Sequence, residues 1–141
     1  MNNISSFIKY HRKKHGFTQE ELAVKAGVGI RFIRELEKGK ETLQLDKVNH
    51  VLSLFGSGLA PTKRHVDAFD IYWNYLNKAI KITLNNKIIK YGILIKEITT
   101  ENQITAWQFV PNKNAIKYQQ KPDSKLIEII QHSDIKAIEE Q

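Results

Sequence analysis

Between Thr18 and Gly39 the chain runs TQEELAVKAGVGIRFIRELEKG, and no other stretch constrains the fold as tightly. Thr18 is a good N-cap, and Glu21 three residues later completes a capping box that starts a short helix. Leu22, Ala23 and Ala26 follow at the spacing that places them on one face of that helix. Gly27 is at ease in the left-handed region, so it ends the helix and turns the chain sharply. The next helix carries Ile30, Ile33 and Leu36 inward and leaves Arg31, Arg34 and Lys38 pointing away from the core. A short helix, a glycine turn and a second helix with an arginine-bearing outer face suit insertion into a DNA major groove.

The helical period extends on both sides. Residues 4 to 15 read as a first helix with Ile4, Phe7, Ile8 and His11 on one face and Lys9, Arg12, Lys13 and Lys14 elsewhere, without an acidic residue. Lys40 to Gln44 reads as a loop, and Asp46 opens a further helix whose Val48, Val51, Leu52 and Phe55 face inward until Gly56 stops it. Residues 1–56 are therefore expected to form an all-α domain, and 57–65, rich in glycine, serine, proline and charge, a linker.

Beyond the linker the pattern changes. Val66 to Lys78 carries Phe69, Tyr72, Trp73 and Leu76 at helical spacing, and then the period drops to two. Ile80, Ile82 and Leu84 alternate with Lys81 and Thr83, and Asn85-Asn86 reads as a hairpin pair because asparagine tolerates positive φ. A long β-branched strand follows, with Gly92 predicting a bend or bulge. A strand around Trp107 ends at Pro111, a polar stretch runs from Asn112 to Lys125, and two short strands flank a tight turn at Ser133-Asp134. The fold class is α+β: a helical domain, then a helix and a small β-barrel over 66–141. Phe69, Tyr72 and Leu76 are expected to pack that helix onto the barrel. The aromatic set, with Trp73 and Tyr75, exceeds what one helix face can bury, so part of it is expected to form a dimer or partner surface. Trp107 is expected in or beside the barrel.

Charge and composition narrow the function. A net charge of +7 points to an anionic partner. No apolar run approaches the roughly 20 residues of a membrane span, and the N-terminus lacks a signal-peptide pattern, so a cytoplasmic location is expected. With no cysteine there is no disulfide and no thiolate metal site. His11 and His15 have the i, i+4 spacing of helical metal ligands but no supporting carboxylate nearby, and no catalytic constellation can be named, so neither a metal, a cofactor nor an enzyme activity is expected.

The stretch TQEELAVKAGVGIRFIRELEKGK resembles the lambda-repressor/Cro class of helix-turn-helix proteins, the XRE family, and IRFIRELEKGKETLQLDKVNHVLSLFG is similar to HipB-type antitoxins that repress their own toxin–antitoxin operons. The resemblance covers residues 4 to 56. It implies that Gln19 bonds a DNA phosphate, that Gly29, Ile30 and Arg31 open the recognition helix, and that Arg34 and Glu35 lie one turn further along the groove. It also implies that Lys40 and Thr42 face the sugar-phosphate backbone, and that Arg12 pairs with Glu37 as an internal ion pair. Family members often have serine, threonine or glutamine where this chain has Gly29 and Ile30, so the operator does not transfer. AIKITLNNKIIKYG and HSDIKAIEE have the spacing of Sm-like and other SH3-like barrels.

The resulting expectation is a homodimeric DNA-binding regulator that represses its own operon from a palindromic site. Arg31 and Arg34 would bond guanine or grip a phosphate. A second reading makes the C-terminal barrel the main element of an antitoxin, with a kinase-like toxin as partner. A third is a single-stranded RNA binder acting through an Sm-like barrel. Against the third, residues after 61 carry 12 basic and 9 acidic side chains, intermixed.

Overall fold

A computed structural model describes residues 3–141. The chain forms two compact units, one ending at Pro61 and one beginning at Thr62. In the first, α1 (Asn3–Lys14), α2 (Gln19–Ala26), α3 (Ile30–Glu37) and α4 (Leu45–Ser53) enclose one core. Local chemistry sets the ends of α2. The Thr18 hydroxyl accepts from the Glu21 amide while the Glu21 carboxylate accepts from the Thr18 amide, and Gly27 closes the helix at φ 65°. Helix α4 begins at Leu45, one residue before the aspartate expected to open it, and Asp46 sits in its first turn. There its charge complements the helix dipole.

Ile8, Leu22, Ile33, Leu36 and Val51 are buried at the centre of the unit. At roughly 1.5–3 kcal/mol for each large apolar side chain removed from water, this cluster is the main attraction holding four short helices together. His11 and His15 stack on the ring of Phe55, at 5.4 and 5.9 Å between centroids, so both rings serve packing.

The second unit contains α5 (Ala68–Asn74), β1 (Ala79–Leu84), β2 (Ile89–Thr100), β3 (Gln103–Pro111), α6 (Asn112–Gln120), β4 (Glu128–Gln131) and β5 (Ile135–Glu140). The strands form one antiparallel sheet in the order β4-β3-β2-β1-β5, so the chain is α+β. Ile80 and Ile82 of β1, Leu94 of β2 and Trp107 and Phe109 of β3 point into a core that Ile71 of α5 completes. Among the described residues no helix is long and apolar enough to cross a membrane.

Several expectations need correction here. Phe69 does not pack α5 onto the sheet: it is 68% exposed and Trp73 76%, while Ile71 is buried. The helix ends early, where Asn77 turns left-handed and its amide bonds the Leu94 carbonyl of β2 at 2.8 Å, drawing the chain into the sheet before another helical turn can form. In the β1–β2 turn the positive φ falls on Lys87, at 71°, and not on the asparagines. Leu84 and Ile88 close a three-residue loop, which places the left-handed residue third. Asn85 instead donates its side-chain amide to the Ser133 carbonyl at 2.8 Å. Gly92 stays in register, paired with Ile80 and Pro111, and the irregularities lie further on, between Leu94 and Lys96 and between Ile98 and Thr99. What requires glycine is close approach: a Cβ there would lie 2.2 Å from the Val110 carbonyl oxygen. The polar stretch after Pro111 contains helix α6, which buries no residue and so leaves no periodic apolar signal.

His132 has a structural task that the sequence conceals. Trp107 Nε1 donates to its Nδ1 at 3.1 Å, so the ring proton sits on Nε2, which bonds the Val66 carbonyl at 2.7 Å. One neutral imidazole thus satisfies the only polar atom of the fully buried indole and ties β3 to the segment entering α5.

Candidate nucleic-acid interface

The Glu37 side chain, only 4% exposed, organises the first unit's outer face. Its Oε1 accepts from Arg12 Nε at 2.5 Å, and its Oε2 accepts from Arg12 Nη2 at 3.2 Å and from Gln19 Nε2 at 2.6 Å. Arg12 Nη1 also donates to the Phe17 carbonyl at 2.8 Å. One carboxylate at the end of α3 therefore fastens α1, the connection after it and the first turn of α2. The network leaves Gln19 with one amide N–H and its carbonyl oxygen to present outward. The capping box consumes the donors of Thr18 and Glu21, so the backbone N–H groups of Gln19 and Glu20 remain at the positive end of the α2 dipole.

Two hollows flank this network. Arg12, Thr18, Gln19, Glu20, Ile30 and Arg34 line one of about 470 Å³. Lys9, Arg12, Lys13, Arg34 and Lys38 line another of about 540 Å³, together with Gln19 and Glu37. The second gathers five cations against one carboxylate, and that carboxylate is already taken by Arg12. Arg34, common to both hollows, has no hydrogen bond or ion pair to its guanidinium among the described residues. From sequence, Lys9 and Lys13 read equally as phosphate attraction or as a solvated face, and Lys38 only as an outward charge; the hollow is lined by all three. The i, i+4 spacing of Lys9 and Lys13 on the Arg12 helix was the available signal, but only the Arg12–Glu37 link places that face beside α3.

The remaining predicted residues take varied positions. Arg31, in the first turn of α3, has an 89% exposed side chain, and its Nε donates to Glu35 Oε1 at 3.2 Å. Glu35 Oε2 accepts from Lys40 Nζ at 3.1 Å, so Glu35 is held between two cations. The Lys40 hydrogen bond is the larger influence that keeps its carboxyl below the usual glutamate range, with Arg31 acting in the same direction. The Arg31 terminal nitrogens have no partner among the described residues, which leaves the edge a guanine or phosphate can use. Gly29 is the N-cap of α3 with no side-chain cap and open space where a Cβ would stand. Ile30 is half-buried against the core, and Thr42 is exposed.

This geometry has relatives. A family model described as helix-turn-helix matches residues 8–60. The chain is also similar to the uncharacterized HTH-type transcriptional regulator y4mF of Sinorhizobium fredii, at 45% identity over 65 residues that cover 44% of this chain and 86% of the relative. The chain belongs to the XRE-type helix-turn-helix family.

Proposed function

We propose that the chain is a sequence-specific DNA-binding transcriptional regulator that acts as a homodimer on a palindromic operator and represses its own, toxin–antitoxin-like operon from the cytoplasm. The observation that carries this reading is the basic hollow of Lys9, Lys13, Arg34 and Lys38 beside a recognition helix whose Arg31 stands in solvent. In this reading the basic residues neutralise phosphates, while the N-terminal turn of α2 with Gln19 bonds one phosphate through N–H donors. Gly29, Ile30 and Arg31 open the groove-facing side, with Arg31 reading a base, Arg34 and Glu35 lie one turn further along the groove, and Lys40 and Thr42 meet the backbone beyond it. Two copies related by a two-fold axis would place their recognition helices about 34 Å apart.

The C-terminal unit is read as a protein-contact element, an SH3-like barrel in which a helix precedes five antiparallel strands. Its exposed Ile88, Ile89 and Tyr91 along the β1–β2 hairpin support contact with another protein, a kinase-like toxin in the operon reading.

The test is binding of the full chain to its own upstream region and to scrambled duplex across a salt titration. Arg31→Ala should lose about 1–3 kcal/mol of preference for the specific site and leave the fold intact. Equal preference in parent and variant would refute base reading by Arg31. Equal binding of both duplexes by the parent would refute an operator in that region.

A further inference from the structure

The second unit holds a groove of about 520 Å³ that no DNA-facing role uses. Phe69, Tyr72 and Trp73 of α5 form one side, and Glu97 of β2 and Ile104 of β3 lie on the other. The Tyr72 and Trp73 rings stand 5.0 Å apart at 86°, in edge-to-face contact. Phe69, a turn earlier on the helix, adds a third ring. The fold does not need Phe69 or Trp73 there, since Ile71, with Ala68 and Tyr72 packed beside it, anchors α5 in the core.

Glu97 supplies the second observation. It is half-buried, yet forms no hydrogen bond or ion pair among the described residues. Six other carboxylates of the unit are engaged: Glu128 with Lys90, Glu139 with Lys81, Glu140 with Lys78, Asp67 and Asp123 at helix starts, Asp70 with Asn74. Glu101 and Asp134 are exposed to solvent, so Glu97 is the half-buried one without a partner among the described residues. A chain with 22 Lys and Arg thus leaves this carboxylate without a cation of its own among the described residues, in a groove that three aromatic side chains also line. Aromatic faces carry negative charge density and attract a weakly hydrated cation within about 6 Å of the ring centroid. A single carboxylate with no histidine in the lining is a poor ligand set for a strongly hydrated metal ion, and its charge disfavours an anion. The volume lies in the range of small-molecule sites.

We propose that this groove binds a small organic cation of the quaternary-ammonium type, with Phe69, Tyr72 and Trp73 as its ring walls and Glu97 as the countercharge.

The test is titration calorimetry of the full chain with choline, set beside 3,3-dimethylbutan-1-ol, its uncharged isostere. Tryptophan emission locates the site, because Trp107 is buried and Trp73 is the exposed indole. Choline should bind saturably and shift the emission, and the neutral alcohol should bind about tenfold more weakly or not at all. Glu97→Gln and Trp73→Leu should each weaken choline about tenfold, with circular dichroism unchanged. Absence of saturable choline binding, equal binding of the neutral alcohol, or unchanged binding in both variants would overturn the proposal. So would a drop in oligomeric mass caused by Trp73→Leu, which would make the groove a contact between copies of the chain.

Discussion

Replacing Glu37 by alanine should do more harm to the first unit than any other charge change on its surface. The carboxylate accepts three hydrogen bonds, two from Arg12 and one from Gln19, in a pocket where Arg12 is 12% and Glu37 4% exposed. Glu37→Ala leaves a largely buried guanidinium with only the Phe17 carbonyl as partner. Breaking such a pair from one side costs roughly 3–5 kcal/mol, because the surviving charge keeps its desolvation penalty. For a domain of this size about 1 kcal/mol moves the melting point by about 4–8 °C, so a fall of at least about 12 °C is expected. The two units can be followed separately. Both tryptophans lie after residue 62, so tryptophan emission reports the second unit, while helical circular dichroism is dominated by the first. The helical transition should collapse and the emission transition stay in place. Arg12→Met combined with Glu37→Leu should recover much of the loss, since removing both charges removes the uncompensated one. A helical melt of Glu37→Ala within error of the parent would refute the reasoning.

Other outcomes follow from the same geometry. Lys9→Gln with Lys13→Gln should lower the slope of log affinity against log salt by about 1.8, without changing which duplex is preferred; an unchanged slope would place α1 away from the phosphates. Gly92→Ala should unfold the second unit or shift its strand register, because the new Cβ would meet the Val110 carbonyl and the Phe109 ring; a parent-like emission melt would contradict this. His132→Ala should cost about 1–3 kcal/mol in the second unit by leaving the buried Trp107 N–H without an acceptor, and an unmoved emission transition would show that the bond contributes nothing. The Glu35 carboxyl is depressed in the folded state, so its contribution is present above the ordinary glutamate range and disappears as pH falls through the lowered value. Glu35→Gln should therefore flatten the acid limb of the helical melting profile slightly, and an identical limb would count against the Lys40 and Arg31 contacts.

What the sequence made legible and what it hid divide along the distance over which each feature is decided. Thr18, Glu21 and Gly27 act within one helical turn, so their cap, box and left-handed stop could be read from residue type and spacing. The partners Arg12 and Glu37 lie 25 residues apart, and only a family resemblance links them in advance. The α5 aromatics show the limit more sharply. Helical spacing says that Phe69, Tyr72 and Trp73 share one side, but the core takes Ile71 with Ala68 and Tyr72 and leaves Phe69 and Trp73 outside, a choice made by the sheet the helix packs on and not by its own period. Asn85-Asn86 offered the residue types of a tight hairpin, yet the strand register opened the loop to three residues and moved the left-handed turn to Lys87. The same logic governs the interface. Each lysine of the basic hollow reads singly as an ordinary solvated charge, and the hollow exists only once Glu37 has drawn α1, α2 and α3 together. A buried ion pair of this kind need contribute little net stability against an apolar replacement. Its value to a DNA-reading surface is geometric, in fixing where the surrounding cations stand. The double replacement by Met and Leu should for that reason keep the fold better than it keeps the affinity for DNA.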